Sequence, residues 1–514
     1  MTASLEELRQ RRGKIYQGGG KERIEKQHAK GKLTARERLG LLLDEDTFQE
    51  SNLFMEYNKT DTTEQQSMPG EGVITGFGII DNRPVFVASQ DFTVAGGSVG
   101  AAHARKIKTV MNNALKTGDP FIFINDSGGA RIQEGVDALS GYGDIFYNNV
   151  LLSGVVPQIS IIAGPCAGGA AYSPALTDFI IQVKDEGQMF ITGPLVIKEV
   201  TGEDITAEQL GGVQSHAYYS GVVHFIAEDD EDAMNITRRL LSFLPSNNTD
   251  DPPLVESMTQ EIIEPVEALN SIIPHDSKDP YDMHDIILNV VDNGDFMEIQ
   301  EHFAANIIIG FGRINGSTIG IVANQPMVKA GVLDIDSSGK AARFIRFCNA
   351  FNIPLVNFVD VPGFMPGVEQ EYGGIIRHGA KMLFAYAATT TPKITVVVRK
   401  AYGGAYLAMC SKEMGADRVI AWPTAEIAVM GAAGAVNVLY RKEMKEAEDP
   451  DALREELIRK YRETSANPFN AAKKGYLDTV LEPADTRPYI ASALEILRSK
   501  RELRPNKKHG LIPL

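Results

Sequence analysis

The chain has 514 residues, 43% hydrophobic and 23% charged, with a net charge of −16. That length exceeds one ordinary core, so two large domains are expected, and the acidic balance argues against nucleic acid or an anionic membrane as the main partner. Three cysteines (Cys166, Cys348, Cys410) with no CxxC pair fit a reducing compartment and exclude a zinc ribbon. The opening stretch MTASLEELRQRRGK has no apolar signal core, and no long apolar run follows, so a cytoplasmic protein without direct membrane insertion is expected. Lys14 to Arg38 carries eight Lys/Arg against three Glu, a solvated helical face or a docking surface for an anionic ligand. Next, "GVITGFGII" and "RPVFVAS" read as a hairpin-like pair of β segments around a GFG turn. Ile107, Val110, Met111, Ala114 and Leu115 have the apolar spacing of a helix that Gly118 stops. A short buried strand, "FIFIND", leads into the glycine loop "DSGGAR". After another helix, the strand "QISIIAG" runs into "CAGGAAY" at 166–172.

The same series then repeats. "IIIGFGRI" and "STIGIVAN" are followed by a helix with Ala341, Phe344, Ile345 and Cys348 on one face. "LVNFVD" then runs into "DVPGF", and "ITVVVRK" into "AYGGAY" at 401–406. Pro120 and Pro354, Asp126 and Asp360, Gly169 and Gly403, and Tyr172 and Tyr406 all share an offset of 234. Several pairs at one offset indicate internal duplication. The polar linker "PSNNTDDPP" sets a boundary, giving domains 1–250 and 251–514. Strands alternating with helices indicate a layered α/β fold with largely parallel strands, whose ligands sit at the carboxyl ends of the strands.

Two turns of tiny residues, each opening a helix, carry the chemistry. A helix start has unpaired backbone N–H groups and a partial positive charge. Gly and Ala leave those donors bare, so a substrate oxygen can reach them. Two such donors aimed at one oxygen stabilise a developing oxyanion. Tight helix–sheet packing also favours Gly and Ala, but it does not explain two such turns, each beside a second glycine loop.

Other chemistries find less support. "GGSVG" at 96–100 fits the nucleophile elbow of hydrolases, with Ser98 as nucleophile, but "FTVA" before it is a weak central strand. Cys166 is a possible thiolate, yet the constant offset puts Lys400 in its place in the second copy. His103, His216, His224, His302 and His378 have no metal spacing, and neither HExxH nor a P-loop occurs.

The strings "QDFTVAGGS", "NDSGGARIQEG", "GPCAGGAAYSPALTDF", "FITGP", "VDVPGFMPG", "YGGIIRHGAKML" and "RKAYGGAYLAM" resemble the acyl-CoA carboxyltransferase family over nearly the whole chain. That family includes propionyl-CoA carboxylase β chains, methylmalonyl-CoA carboxyltransferase 12S subunits and methylmalonyl-CoA decarboxylase α subunits. The resemblance implies an α/β fold of two tandem crotonase-like (ClpP/crotonase) domains. It also implies a homohexamer with sites between the N-domain of one subunit and the C-domain of another. In the first turn Gly168 and Gly169 would hold the thioester enolate of the coenzyme A substrate, beside Gly128, Gly129 and Ala130. In the second, Gly404 and Ala405 would hold the biotin ureido oxygen, with Gly363 and Phe364 nearby. Leu407 would line the acyl pocket. The constant offset sets Gly404 opposite Ala170 rather than Gly169, so the motif match takes precedence there.

The implied reaction moves a carboxyl group between carboxybiotin and propionyl-CoA or methylmalonyl-CoA, with the base on the cofactor and no metal in this subunit. No biotinyl-lysine motif occurs, "GAKML" lacking the preceding Met, and no ATP-grasp domain is recognisable. Biotin is therefore expected on a separate protein: a biotin carboxyl carrier protein or biotinylated subunit. A biotin carboxylase, a 5S-type subunit or a membrane decarboxylase subunit would complete the system. The alternative is a crotonase-like acyl-CoA hydrolase or binding scaffold that acts without biotin.

Overall fold

Val, Ile and Phe crowd the segments that form the cores, and the central parallel strands are buried along almost their whole length, as parallel sheets require. The computed structural model describes residues 2–56, 68–276 and 279–514. The chain divides into two compact units, Met1–Asp250 and Asp251–Leu514. In the first, strands β1 (Gln49–Ser51), β2 (Val73–Ile80), β3 (Arg83–Gln90), β4 (Phe121–Ser127), β5 (Gln158–Ala167), β6 (Phe179–Val183), β7 (Gln188–Phe190) and β8 (Phe225–Ala227) form one sheet. Its order is β1-β2-β3-β4-β5-β6-β8, with β7 also on β5. The second unit has β9 (Met297–Glu298), β10 (Ile307–Ile314), β11 (Ser317–Asn324), β12 (Leu355–Val361), β13 (Lys393–Tyr402), β14 (Arg418–Ala421), β15 (Glu426–Ala428) and β16 (Thr479–Val480). Its order, β9-β10-β11-β12-β13-β14-β16 with β15 on β13, is the same arrangement. The first three strands of each sheet pair antiparallel and the others parallel.

Helices Ala101–Thr117 and Ile335–Ala350 follow the hairpins. They bury Ile107, Val110, Met111 and Ala114, and Ala341, Phe344, Ile345 and Cys348. Gly118 ends the first with φ 77°. The GFG strings are not turns. They lie inside β2 and β10, and the hairpins reverse at Asp81–Asn82 and Asn315–Gly316, all with positive φ as tight hairpins demand. A Cβ at Gly76 or Gly310 would collide with the Gln49 or Met297 carbonyl of the edge strand, so that close pairing requires glycine there.

The offset between copies also changes along the chain. Phe121 faces Gln158 where Leu355 faces Lys393. The second unit thus has one more residue between these strands, and the offset rises from 234 to 235. From β5 onward Cys166 matches Ala401, not Lys400. Gly168 matches Gly403, Gly169 matches Gly404, Ala170 matches Ala405, and Tyr172 matches Leu407.

Candidate active site

β4 and β5 stay in register to Asn125, and pairing resumes with Ser127 opposite Cys166. β12 and β13 break at the same place, between Val359 and Val361. The skipped residue, Asp126 or Asp360, is buried. Its backbone N–H donates to Gln90 Oε1 at 3.1 Å in one unit and to Asn324 Oδ1 at 3.2 Å in the other. Gly97 and Gly331, with φ 61° and 73°, pass directly against its carbonyl, where a Cβ would collide. Each bulge turns the chain out of the sheet into a glycine loop.

In the first loop Gly129 has φ 100°, and a Cβ there would lie 3.1 Å from the Ala167 carbonyl, at the end of β5. Val99 N–H donates to the Gly129 carbonyl and Arg131 N–H to the Val99 carbonyl, both at 2.9 Å. The second loop repeats this, with Leu333 N–H to Gly363 (3.1 Å) and Met365 N–H to Leu333 (2.7 Å). In such a parallel bridge the N–H of the central residue, Ala130 or Phe364, faces the other way. Arg131 braces the first loop through Glu71 and Glu134, each at 2.7 Å.

Beyond β5, Gly168 (φ 60°, ψ −119°) starts helix Gly169–Ala175. Gly403 (φ 57°) opens helix Gly403–Ala408. Both conformations favour glycine. The Gly168 N–H donates to the Phe190 carbonyl at 3.0 Å, completing the pairing with β7. Gly168 thus shapes the turn, and its N–H is engaged by the Phe190 carbonyl. The helix start instead leaves Gly169 and Ala170 without intrahelical acceptors. They are the structural counterparts of Gly404 and Ala405, so the extra residue before β13 removes the mismatch between the two pairs. A Cβ at Gly169 would lie 2.8 Å from the Tyr142 ring, whereas one at Gly404 meets nothing within 4 Å. Leu407 is 39% exposed and Tyr172 51%, so neither is a core residue of its own unit.

The rival nucleophiles are badly placed. Ser98 donates to the Ala95 carbonyl at 2.8 Å, and its neighbour is Arg131, not a histidine. Burial pushes the Cys166 thiol well up, away from the thiolate. Burial, reinforced by Arg131, pushes His103 down to about 3, and its ring bonds the Glu71 carbonyl and Gln90. Among the described residues no group of three or more His, Cys, Asp or Glu could hold a metal ion, and no helix is long and apolar enough to cross a membrane.

Sequence reasoning missed the charges beneath the first turn. Lys32 and Arg38, inside the basic stretch, reach the buried Asp126 at 2.8 and 2.9 Å. Two signals bear on this spot: the shared position of Asp126 and Asp360, and the basic stretch itself, of which Lys32 and Arg38 are buried rather than part of a solvated face.

Comparison with known proteins gives the family. The family described as carboxyl transferase domain matches residues 26–512. The methylmalonyl-CoA carboxyltransferase 12S subunit of Propionibacterium freudenreichii subsp. shermanii is 57% identical, over 100% of this chain and 98% of its own. The methylmalonyl-CoA decarboxylase subunit alpha of Veillonella parvula is also 57% identical, over 99% of each. A crystal structure of transcarboxylase 12S, described as a hexamer assembly with methylmalonyl-coenzyme A and methylmalonic acid bound, superposes with a TM-score of 0.97. It shares 57% identity and covers 100% of this chain and 98% of that one. With its two crotonase-like units and paired glycine turns, the chain belongs to the carboxyl transferase family and is an acyl-CoA carboxyltransferase.

Proposed function

We propose that this chain moves a carboxyl group between methylmalonyl-CoA or propionyl-CoA and biotin carried on a separate protein. The observation that carries the reading is the duplicated turn: one sheet arrangement, used twice, presents two pairs of backbone donors at equivalent places. The 12S relative is described with methylmalonyl-coenzyme A bound, which supports the substrate pair. Residues 1–250 would form the acyl-CoA half-site and residues 251–514 the biotin half-site.

The first unit's residues bind and polarise the thioester. Gly169 and Ala170 N–H hold its carbonyl oxygen as negative charge develops during loss or gain of the carboxyl group. The loop Gly128–Ala130 lies beside them, against Ala167. Each such donor is worth about 3–4 kcal/mol in the transition state. In the second unit Gly404 and Ala405 N–H hold the ureido oxygen, with Gly363 and Phe364 alongside. The residues fit that group: the space over Gly404 is open, as is that over Gly363. When bound, carboxybiotin supplies the carboxyl group and its ureido nitrogen the base. Leu407, partly exposed one turn into that helix, lines the pocket for the acyl substituent.

A single turnover uses both half-sites, which sit on separate units. The 12S relative is described as a hexamer, and a homohexamer with sites between subunits is the assembly proposed here. Light scattering on the active protein tests this, and an active monomer would refute it. For the chemistry, purified chain with methylmalonyl-CoA and free biotin should form propionyl-CoA and carboxybiotin in equal amounts, and only when biotin is present. Acyl-CoA consumption that ignores biotin would overturn the reading in favour of a hydrolase.

A further inference from the structure

Asp126 and Asp360 occupy the same place in the two units, yet different parts of the chain neutralise them. The second unit relies chiefly on its own sheet. From β13, Arg399 Nε donates to Asp360 Oδ2 at 2.9 Å and Lys400 N–H to Oδ1 at 3.0 Å. The Tyr281 hydroxyl adds a bond at 3.0 Å. At the offset of 235, the counterparts of Arg399 and Lys400 are Gly164 and Pro165. Glycine brings no guanidinium and proline no N–H, so β5 offers Asp126 neither contact.

The N-terminal segment brings both. Lys32 Nζ donates to Asp126 Oδ1 at 2.8 Å, and Arg38 Nη1 to Oδ2 at 2.9 Å. Arg38 Nη2 also holds the Ala163 carbonyl of β5 at 2.9 Å, which ties the two central strands together. Asp230 balances the second cation: Arg38 Nε and Leu33 N–H reach its two oxygens at 2.8 Å. Gly164 must be glycine, because a Cβ there would collide with Asp126 Oδ1 and come within 2.6 Å of Lys32 Nζ. The four charged side chains are buried, and a buried carboxylate keeps its place only with such partners.

We propose that Lys32 and Arg38 are positioning residues of the first half-site. Through Asp126 they fix the β4 bulge, and with it the loop Gly128–Ala130. Through Ala163 Arg38 fixes the end of β5 that carries Gly169 and Ala170. They do for the first unit what Arg399 and the Lys400 N–H do for the second. The kinetic arm of the test rests on the proposed function; the exchange arm does not.

The test uses full-length Lys32→Met, Arg38→Lys, Arg38→Met and, in the second unit, Arg399→Met. Wild type must first show biotin-dependent turnover of methylmalonyl-CoA. Lys32→Met, the mildest change because 9% of that side chain is exposed, should then lower kcat about tenfold or more, with the KM for free biotin within about twofold. Arg38→Lys should retain more activity than Arg38→Met. Arg399→Met should instead raise the KM for biotin. Amide hydrogen exchange, read without substrate, should quicken at 127–131 and 167–172 in Lys32→Met and stay unchanged at 361–365 and 402–407. A folded Lys32→Met with wild-type kcat and exchange would overturn the proposal. So would equal losses at both half-sites that merely track thermal stability. Should wild type show no turnover, the functional reading fails and the exchange pattern alone decides the positioning role.

Discussion

Gly169 lies directly under the ring of Tyr142, so that a Cβ added to the glycine would come within 2.8 Å of the ring. Its counterpart Gly404 faces open space. The same substitution should therefore have opposite outcomes in the two turns. Gly169→Ala forces ring and turn apart and should cost about 1–3 kcal/mol of stability, as overpacking does. It should also cut turnover steeply. Gly404→Ala should fold with wild-type stability and weaken only the use of biotin. Thermal melts of both variants, with kcat and the KM for biotin, check this. Equal melting points for the two would contradict the contrast.

Ala405 is the third residue of helix Gly403–Ala408, where a proline removes an N–H that the helix itself does not use. Ala405→Pro therefore deletes one proposed donor with limited damage to the helix. Turnover should fall by about 10²–10³, the usual cost of one oxyanion donor. The KM for acyl-CoA should hardly move, because that half-site belongs to the other unit. Full transfer to free biotin by folded Ala405→Pro would remove this residue from the site.

Leu407 is 39% exposed, so replacing it should cost little stability. As a pocket wall it should instead set the preference for a three-carbon over a two-carbon acyl group, by about 1–3 kcal/mol. The ratio of kcat/KM for propionyl-CoA and acetyl-CoA should shift in Leu407→Ala and Leu407→Asp, with melting points near wild type. A constant ratio in both variants would leave Leu407 without a part in selectivity.

His284 links two carboxylates, with Nδ1 2.7 Å from Asp282 and Nε2 2.7 Å from Glu298. The hydrogen bond to Glu298 outweighs partial burial and, with the help of Asp282, raises the imidazole to about 9 from 6.5. The folded protein thus holds this proton more tightly than the unfolded chain. The resulting stabilisation is fully present below about pH 6.5 and is lost as pH rises through 9. Urea unfolding of His284→Gln should show its largest deficit against wild type at pH 6, shrinking toward pH 9.5. A deficit that grows with pH would contradict the linkage.

The duplication and most of the strands were legible because glycines, prolines and β-branched runs recur at a fixed spacing. GFG was misread because glycine serves two purposes: reversing a chain, and letting an edge strand pass close by, as Gly76 does against Gln49. The extra residue ahead of β13 was hidden as well. Tyr172 and Tyr406 share the first offset by coincidence, although sheet register sets Tyr172 against Leu407. The bond from Gly168 N–H to Phe190 was hidden too, because Phe190 lies on a strand not recognised in the sequence. The cations at Asp126 sit 94 and 88 residues away, where no local pattern points to them.

Those separations also govern the order in which the protein can be completed. Arg399 follows Asp360 by 39 residues, so the second unit can close its pair soon after β13 is made. Arg38 precedes Asp126 by 88 residues and Asp230 by 192. During synthesis the two early cations stay in water until their acids emerge, and long-range closures of this kind are slow to form. A nascent chain halted between Asp178 and Asp230 already contains every glycine of the first turn, yet lacks the acid that balances Arg38. The first unit thus reaches its final form only when its last helix, Asp230–Phe243, has been made.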